Sequence, residues 1–137
     1  LATITDEGAP FVSMVPFAVS GDGSFVIHVS GLAAHTRDML AHPRVSLMIT
    51  AIEDSDTMPQ ALPRVTVDAT ARQLEKNGSD YAGARAAYLT RFPQSEPIFE
   101  LGDFSLFAFV PSSIRLVAGF GQASTLSPDD LAQALRA

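Results

Sequence analysis

Hydrophobic and polar residues alternate along most of this chain with the period of two that is typical of β-strands. The clearest run extends from Phe25 to Ser30, which predicts a half-buried strand with a polar end. Similar runs predict further strands over residues 1–5, 10–20, 45–52, 65–74, 104–110 and 114–117. Glycine-containing turns separate the first three strands, so these three are expected to form an antiparallel meander.

Helical spacing of apolar residues is confined to short segments. The segment from Ser79 to Phe92 has a polar cap, apolar residues at helical spacing and a proline just beyond it, which predicts one long helix. A helical turn is predicted to open at His35, and Ser127 is predicted to cap a final short helix. Regular strands with one good helix favour a mainly β protein with some α (α+β) and a small closed or partly closed barrel.

Composition limits the function classes that remain. The 137 residues are 47% apolar and 18% charged, which is enough to bury the core of a single domain over 1–137. The net charge is −6 with nine basic residues, so nucleic acid is not expected as a partner. We find neither a long apolar run nor a signal-peptide pattern, so a cytoplasmic protein without a membrane partner is expected. The absence of cysteine excludes disulfides and thiolate nucleophiles.

Candidate chemistry is concentrated where the strand from Phe25 meets the helical turn. Ser30 offers a hydroxyl at the strand end, Gly31 breaks the strand, and Thr36 and Arg37 lie at the start of the turn. Backbone N–H groups at a helix start attract anions, and an arginine can grip two phosphate oxygens at once. The pattern therefore predicts a phosphate cradle, which we call the elbow (Ser30 to Arg37).

The remaining candidates each have two interpretations. His28, His35 and His42 are spaced by seven without acidic partners, so no metal site is predicted. His35 is either a capping residue or a ligand contact. Arg64 is either a solvated residue at a strand end or a second positive group on the same phosphate. We find no nucleophile elbow of the hydrolase type, and no residue is assigned as catalytic.

Several motifs carry a family resemblance. Together they resemble the FMN-binding split barrels of the pyridoxamine 5'-phosphate oxidase-like superfamily, and among these the HugZ-like, haem-utilisation branch most. The similarity covers nearly the whole chain. The motifs are Pro10-Phe11-Val12-Ser13-Met14-Val15-Pro16-Phe17, Ser30-Gly31-Leu32-Ala33-Ala34-His35-Thr36-Arg37, His42-Pro43-Arg44-Val45-Ser46-Leu47, Pro63-Arg64-Val65-Thr66 and Ala118-Gly119-Phe120-Gly121-Gln122-Ala123.

The resemblance implies a six-stranded antiparallel split β-barrel with a few flanking helices. It further implies a homodimer with an FMN in a groove at each end of the subunit interface. By position, eight residues would contact that cofactor. Three of them, Ser13, Met14 and Val15, would lie along the isoalloxazine and ribityl chain, largely through backbone groups. Four, Ser30, His35, Thr36 and Arg37, would hold the phosphate, and Arg64 would contact the flavin from the fifth strand.

This chain also departs from the family. The arginine and lysine that pyridoxamine-phosphate oxidases carry on the second strand are absent from Val12 to Phe17, which argues against that substrate. In the haem-degrading branch a histidine near the C-terminus holds the iron, and this chain has no histidine after His42.

The function expected from this reasoning is that of an FMN-dependent oxidoreductase. It would move a hydride or electrons between a reduced nicotinamide, or another small donor, and an acceptor. Two alternatives remain. One is a haem-binding or haem-degrading protein on the same fold, and the other is a flavin-binding module without enzymatic activity.

Overall fold

The computed structural model of this protein describes residues 1–53 and 55–136, with the backbone alone at Arg136. Asp54 and Ala137, which both fall within the predicted domain, lie outside the described residues. None of the helices described is long and apolar enough to cross a membrane.

Strands dominate the described part of the chain, and every strand pairing is antiparallel. The strands are β1 (Ala2–Ile4), β2 (Pro10–Val12), β3 (Ala18–Val19), β4 (Phe25–Ser30), β5 (Arg44–Thr50), β6 (Arg64–Gln73), β7 (Phe104–Gly119) and β8 (Gln122–Leu126). The helices are α1 (Ala34–Ala41), α2 (Tyr81–Arg91) and α3 (Pro128–Arg136), with 3₁₀ turns at Pro59–Ala61 and Pro93–Glu100.

The sheet must curl because a short link joins its two edges. The strand order is β2-β1-β5-β6-β7-β4-β3, with β8 added to β7. A flat sheet of seven strands would separate β2 from β3 by roughly 29 Å. Residues 13–17 are all that connect Val12 to Ala18, and such a link can span at most about 22 Å. The sheet therefore wraps around its own core, as a split barrel does.

The long strand β7 holds the two halves of the sheet together. Its first half pairs with β4 and its second half with β8, while β6 runs along nearly all of its other edge. Pro111 lies between the segment that pairs with β4 and the segment that pairs with β8. Its missing N–H therefore costs no hydrogen bond on that side of the strand.

Two apolar layers flank β4. Phe25, Ile27 and Val29 point into the main core inside the curled sheet. Val26 points to the other face, into a second core that also contains residues of α2 and the 3₁₀ turn Pro93–Glu100. Because helical segments cover this second face, β4 is buried on both sides, whereas the sequence pattern predicted a half-buried strand.

The prediction of a mainly β protein with an antiparallel split barrel and flanking helices is confirmed, with differences in detail. The sheet has eight strands rather than six. The predicted strand over 10–20 breaks into β2 and β3, and its halves lie at opposite edges, so the meander was wrong. The predicted last two strands are one continuous strand, β7, and β8 was missed.

A buried hydrogen bond fixes α1 against β1. The Thr3 hydroxyl donates to Asp38 Oδ2 at 2.7 Å, and both residues are buried. A buried carboxylate is costly without a donor, because no water replaces the lost hydrogen bond. This bond therefore positions the helix that follows the elbow.

We expect Thr3→Val to destabilise the protein by about 1–3 kcal/mol, since the shape is kept and the donor to Asp38 is lost. Urea unfolding monitored by circular dichroism measures this difference. Thr70→Val, on the exposed face of β6, is the matched control and should change stability by less than about 0.5 kcal/mol. Equal unfolding midpoints for Thr3→Val and the wild type would contradict the role of this bond.

Candidate functional site

The elbow forms as predicted between the end of β4 and the start of α1. The Gly31 N–H donates to the Asp103 carbonyl at 2.6 Å. A Cβ at position 31 would lie 3.2 Å from that carbonyl oxygen, which is tighter than ordinary contact. Glycine at this position therefore allows the segment before β7 to approach the elbow closely.

The hydroxyl groups of the elbow are already used within the chain. The Ser30 hydroxyl donates to Asp103 Oδ2 at 2.6 Å, and the Leu32 N–H donates back to the same hydroxyl oxygen. The Thr36 hydroxyl donates to the Ser30 carbonyl at 2.7 Å. The carboxylate of Asp103 therefore lies within hydrogen-bond distance of a hydroxyl that was predicted to hold a phosphate, and its negative charge opposes an anion beside it.

Arg37 is likewise turned to the backbone. Its Nη1 donates to the Leu32 carbonyl at 2.8 Å, on the exposed side of the elbow. The elbow therefore closes on itself through Ser30, Thr36 and Arg37, with Asp103 as its acidic neighbour. An anion could bind here only by competing with that carboxylate.

His35 meets the link that curls the sheet. Its Nδ1 lies 3.2 Å from the Ser13 hydroxyl, so these two predicted site residues are in contact. Its Nε2 is buried and has no hydrogen-bond partner among the described residues. Burial lowers the pKa of His35 below its usual range, and the Asp38 carboxylate opposes this only in part. The imidazole is therefore neutral near pH 7.

The other two residues predicted to lie along the flavin have side chains that point in different directions. The Val15 side chain packs against the main core, whereas Met14 is 89% exposed. The contacts predicted for these residues run largely through the backbone, so they stay a prediction.

Arg64 is separated from the elbow within one chain. Ser30 pairs with Phe104 at the start of β7, whereas Arg64 pairs with Val117 near its end. The guanidinium of Arg64 donates through Nη1 to the Leu62 carbonyl at 3.1 Å and to the Gln60 carbonyl at 3.4 Å. A single copy of the chain therefore does not bring Arg64 and Arg37 to one ligand group.

A cavity of 430 Å³ lies beside Arg64 on the outer face of the sheet. Arg115 of β7 lines it as well. The sequence analysis missed Arg115, because an isolated arginine in an alternating strand carries no signal until the strand register is known. It also missed Asp103, which resembles an ordinary turn residue after Gly102. Other residues that line this cavity are Thr66, Val117, Ser124 and Thr125.

His28 is enclosed by aromatic side chains under α2 and the 3₁₀ turn Pro93–Glu100. Its ring stacks on Phe99 with a centroid separation of 3.8 Å and contacts Tyr88 edge-on. Burial, helped by the positive charges of Lys76 and Arg85, lowers the pKa of His28 from 6.5 to about 4. This histidine is therefore a neutral part of the second core.

The described residues contain no group of three or more histidine, aspartate and glutamate side chains that could hold a metal ion.

Comparison with known proteins identifies the relatives of this chain. A family model described as pyridoxamine 5'-phosphate oxidase matches residues 1–118. Heme oxygenase HutZ of Vibrio cholerae is 37% identical over 134 residues, covering 96% of this chain and 74% of that protein. The chloroplastic non-canonical heme oxygenase HOZ of Arabidopsis thaliana is 38% identical over 117 residues, covering 85% of this chain and 34% of that protein.

A solved structure supports the same grouping. A structure described as a heme binding protein from Mycobacterium smegmatis superimposes with a TM-score of 0.87 at 34% identity. The match covers 96% of this chain but only 53% of that one, so the chain spans about half the length of this relative. The resemblance to the pyridoxamine 5'-phosphate oxidase-like superfamily and its HugZ-like branch is confirmed.

The expected function is corrected by these relatives. An FMN-dependent oxidoreductase was predicted from the superfamily at large, whereas both relatives found by sequence are named as haem oxygenases. The main prediction is therefore wrong, and the haem alternative has the better support. The motifs that suggested FMN identify the superfamily, and they do not by themselves distinguish a flavin-binding member from relatives named as haem oxygenases.

The free energy of unfolding should decrease at acidic pH because of His28. The folded protein binds this proton only near pH 4, whereas the unfolded chain binds it near pH 6.5. The contribution of His28 is thus complete above pH 6.5 and is lost as the pH falls toward 4. We expect His28→Phe to flatten this part of the stability profile in urea unfolding measured from pH 7.5 to 4.5.

His42→Gln is the control for that experiment, since His42 is exposed at the end of α1. This variant should keep the wild-type profile. If His28→Phe and the wild type lost stability in parallel over this pH range, His28 would not be the group responsible.

Proposed function

We propose a haem-binding and haem-degrading function for this chain, which belongs to the pyridoxamine 5'-phosphate oxidase family. The observation that carries the proposal is the 37% identity with a haem oxygenase over 96% of the chain. The 34% identity with a haem-binding protein of known structure agrees with it. The chain spans only part of the length of these relatives. The haem-degrading activity that the names of the whole relatives state is therefore a proposal for this chain.

The chain's own residues fit two of the three parts of a haem. Exposed apolar side chains on the outer face, such as Met48, suit the porphyrin, and the arginines beside the cavity suit its carboxylates. Bound haem would supply the redox-active iron, so the residues of the chain have to bind and orient it.

The third part, the iron, needs an accessible ligand, and two of the three histidines of the chain do not offer one. His28 is enclosed by Phe99 and Tyr88, and the free nitrogen of His35 is buried. His42 alone is exposed among the three histidines. We infer that the iron ligand is not supplied by His28 or His35.

The site is proposed to lie between two copies of the chain. The elbow and Arg64 are at opposite ends of the pairing along β7, so the residues that the family resemblance assigns to one cofactor could meet it together only across two copies. Val12 and Met48, which are 74% and 65% exposed, face outward on the same side of the sheet. Exposed apolar side chains that share a face are typical of protein interfaces.

The direct experiment for the proposed function is a titration of the purified chain with haemin. We expect a saturable Soret band that differs from that of free haemin, followed by its decay with ascorbate and oxygen faster than in a protein-free control. A spectrum that remains the sum of protein and free haemin would refute the proposal.

Free imidazole tests the inference about the iron. Because His28 and His35 are enclosed, we expect added imidazole to shift the Soret band of the haemin complex, with the same shift in His42→Gln. If the Soret band of the haemin complex were lost in His35→Gln and kept in His42→Gln, His35 would be the iron ligand and the inference would be wrong.

Met48→Glu tests the homodimer. A charge in a desolvated apolar interface is costly, so we expect light scattering to give the dimer mass for the wild type and a shift toward monomer for the variant. Met58→Glu places the same charge at a methionine that is 63% exposed elsewhere and should leave the dimer intact. A wild-type protein that is monomeric and still binds haemin tightly would contradict this part of the proposal.

A further inference from the structure

We propose that the 430 Å³ cavity between β6, β7 and β8 is a carboxylate-binding site whose charged groups are Arg64 and Arg115. The identity of its ligand, the propionate side chains of haem, rests on the proposed function. The chemistry of the site does not, because two arginines and neighbouring hydroxyls recognise a carboxylate whatever molecule carries it.

The strand register places the two arginines on one face. Arg115 pairs with Thr66, which is two residues from Arg64 on β6, so both side chains leave the sheet on the same side. Residues in this diagonal relation lie about 7–8 Å apart at their Cα atoms. Two long guanidinium side chains at that spacing can reach the same carboxylate or two carboxylates of one ligand.

Arg64 is held in place before any ligand binds. Its side chain is half-buried, and its Nη1 donates to the carbonyls of Leu62 and Gln60, next to the 3₁₀ turn Pro59–Ala61. Among the described residues, Arg64 donates through Nη1 only, so its other guanidinium donors can serve a ligand. A side chain ordered in advance loses less conformational entropy on binding.

Arg115 is exposed and makes no side-chain hydrogen bond or ion pair among residues 1–53 and 55–136. Thr125 of β8 and Thr66 of β6 both pair with Arg115 and line the cavity, so two hydroxyl groups lie on the face that carries the two arginines. The site therefore combines charge with neutral hydrogen-bond donors, as carboxylate sites in proteins do.

The placement of acidic residues singles this cavity out. No carboxylate is found among the described residues that line it. A second cavity of 510 Å³ on the same face contains Asp68 beside Arg44, and a third contains Asp22 and Asp80. Asp68 lies on the same face of β6 and in the same diagonal relation to Arg115 as Arg64 does, but it lines the second cavity. In a chain of net charge −6, two arginines that line one cavity still leave a local excess of positive charge that attracts anions.

The surface beside the cavity suits an apolar ligand body. Met48 pairs with Thr66, so it lies in the same cross-strand row as Arg115 and is 65% exposed. A ligand with carboxylates at one end could therefore place them between Arg64 and Arg115 while its apolar part lies over Met48. Haem has this division between its propionate edge and its porphyrin.

The test compares haemin with haemin dimethyl ester on the dimeric wild type and on two variants. Arg115→Gln removes a charge from the site, and Arg44→Gln removes the same charge from the same face outside it. We expect Arg115→Gln to weaken haemin binding about tenfold or more, the size of a lost hydrogen bond between charged groups. Arg44→Gln should stay within about twofold, and the ester should bind the wild type and Arg115→Gln alike.

Each outcome separates this inference from the proposed function. If haemin binds and Arg115→Gln behaves as Arg44→Gln does, the carboxylate site is overturned while the proposed function stands. If haemin does not bind, glutarate is titrated by calorimetry. Binding that Arg115→Gln abolishes would support the site for a free dicarboxylate and reject the haem function, and no binding would reject both. Arg115→Thr, which also removes the charge and suits a strand, replaces Arg115→Gln if that variant fails to fold.

Discussion

The short link from Ser13 to Phe17 constrains the whole structure. It joins strands at opposite edges of the sheet, so the sheet has to curl and enclose the main core. The same link brings Ser13 against His35 and leaves Met14 in solvent. Curling also turns one face of β5, β6 and β7 outward, with Arg44, Arg64 and Arg115 on it. The apolar and basic groups available to a ligand therefore follow from how the barrel closes.

Charge placement decides which part of this surface can take an anion. At the elbow, the hydroxyl groups and the Gly31 N–H that suggest a phosphate cradle form hydrogen bonds within the chain, and Arg37 donates through Nη1 to the Leu32 carbonyl. Asp103, 73 residues from Ser30, adds a negative charge there. The cavity between β6, β7 and β8 carries two positive charges and no acidic residue among the described ones that line it. Local motifs thus pointed to the elbow, whereas the folded chain offers an anion a better electrostatic environment beside Arg64.

Local patterns predicted most elements, and long-range pairing explains what they missed. The alternation from Phe25 to Ser30 and the helix before Pro93 were found because each depends on its own residues. The break between β2 and β3 depends on which edges those strands join, which no local pattern contains. The contact between the elbow and Asp103 likewise depends on the strand register. The register also places Arg64 and Arg115 beside the same cavity. Family resemblance supplied the fold, but the cofactor predicted from it does not agree with the two relatives named as haem oxygenases.

The proposed haem-binding function accounts for the exposed apolar face and for the pair of arginines beside the cavity. It also agrees with the relatives named as haem oxygenases and with the one described as a haem-binding protein. Equilibrium dialysis of the chain against equal concentrations of haemin and FMN tests this claim most directly, with bound ligand identified by its absorbance after extraction. The account predicts that the protein retains haem in excess over FMN. Retention of FMN with little haem would contradict it and would return the elbow to the role of a phosphate site.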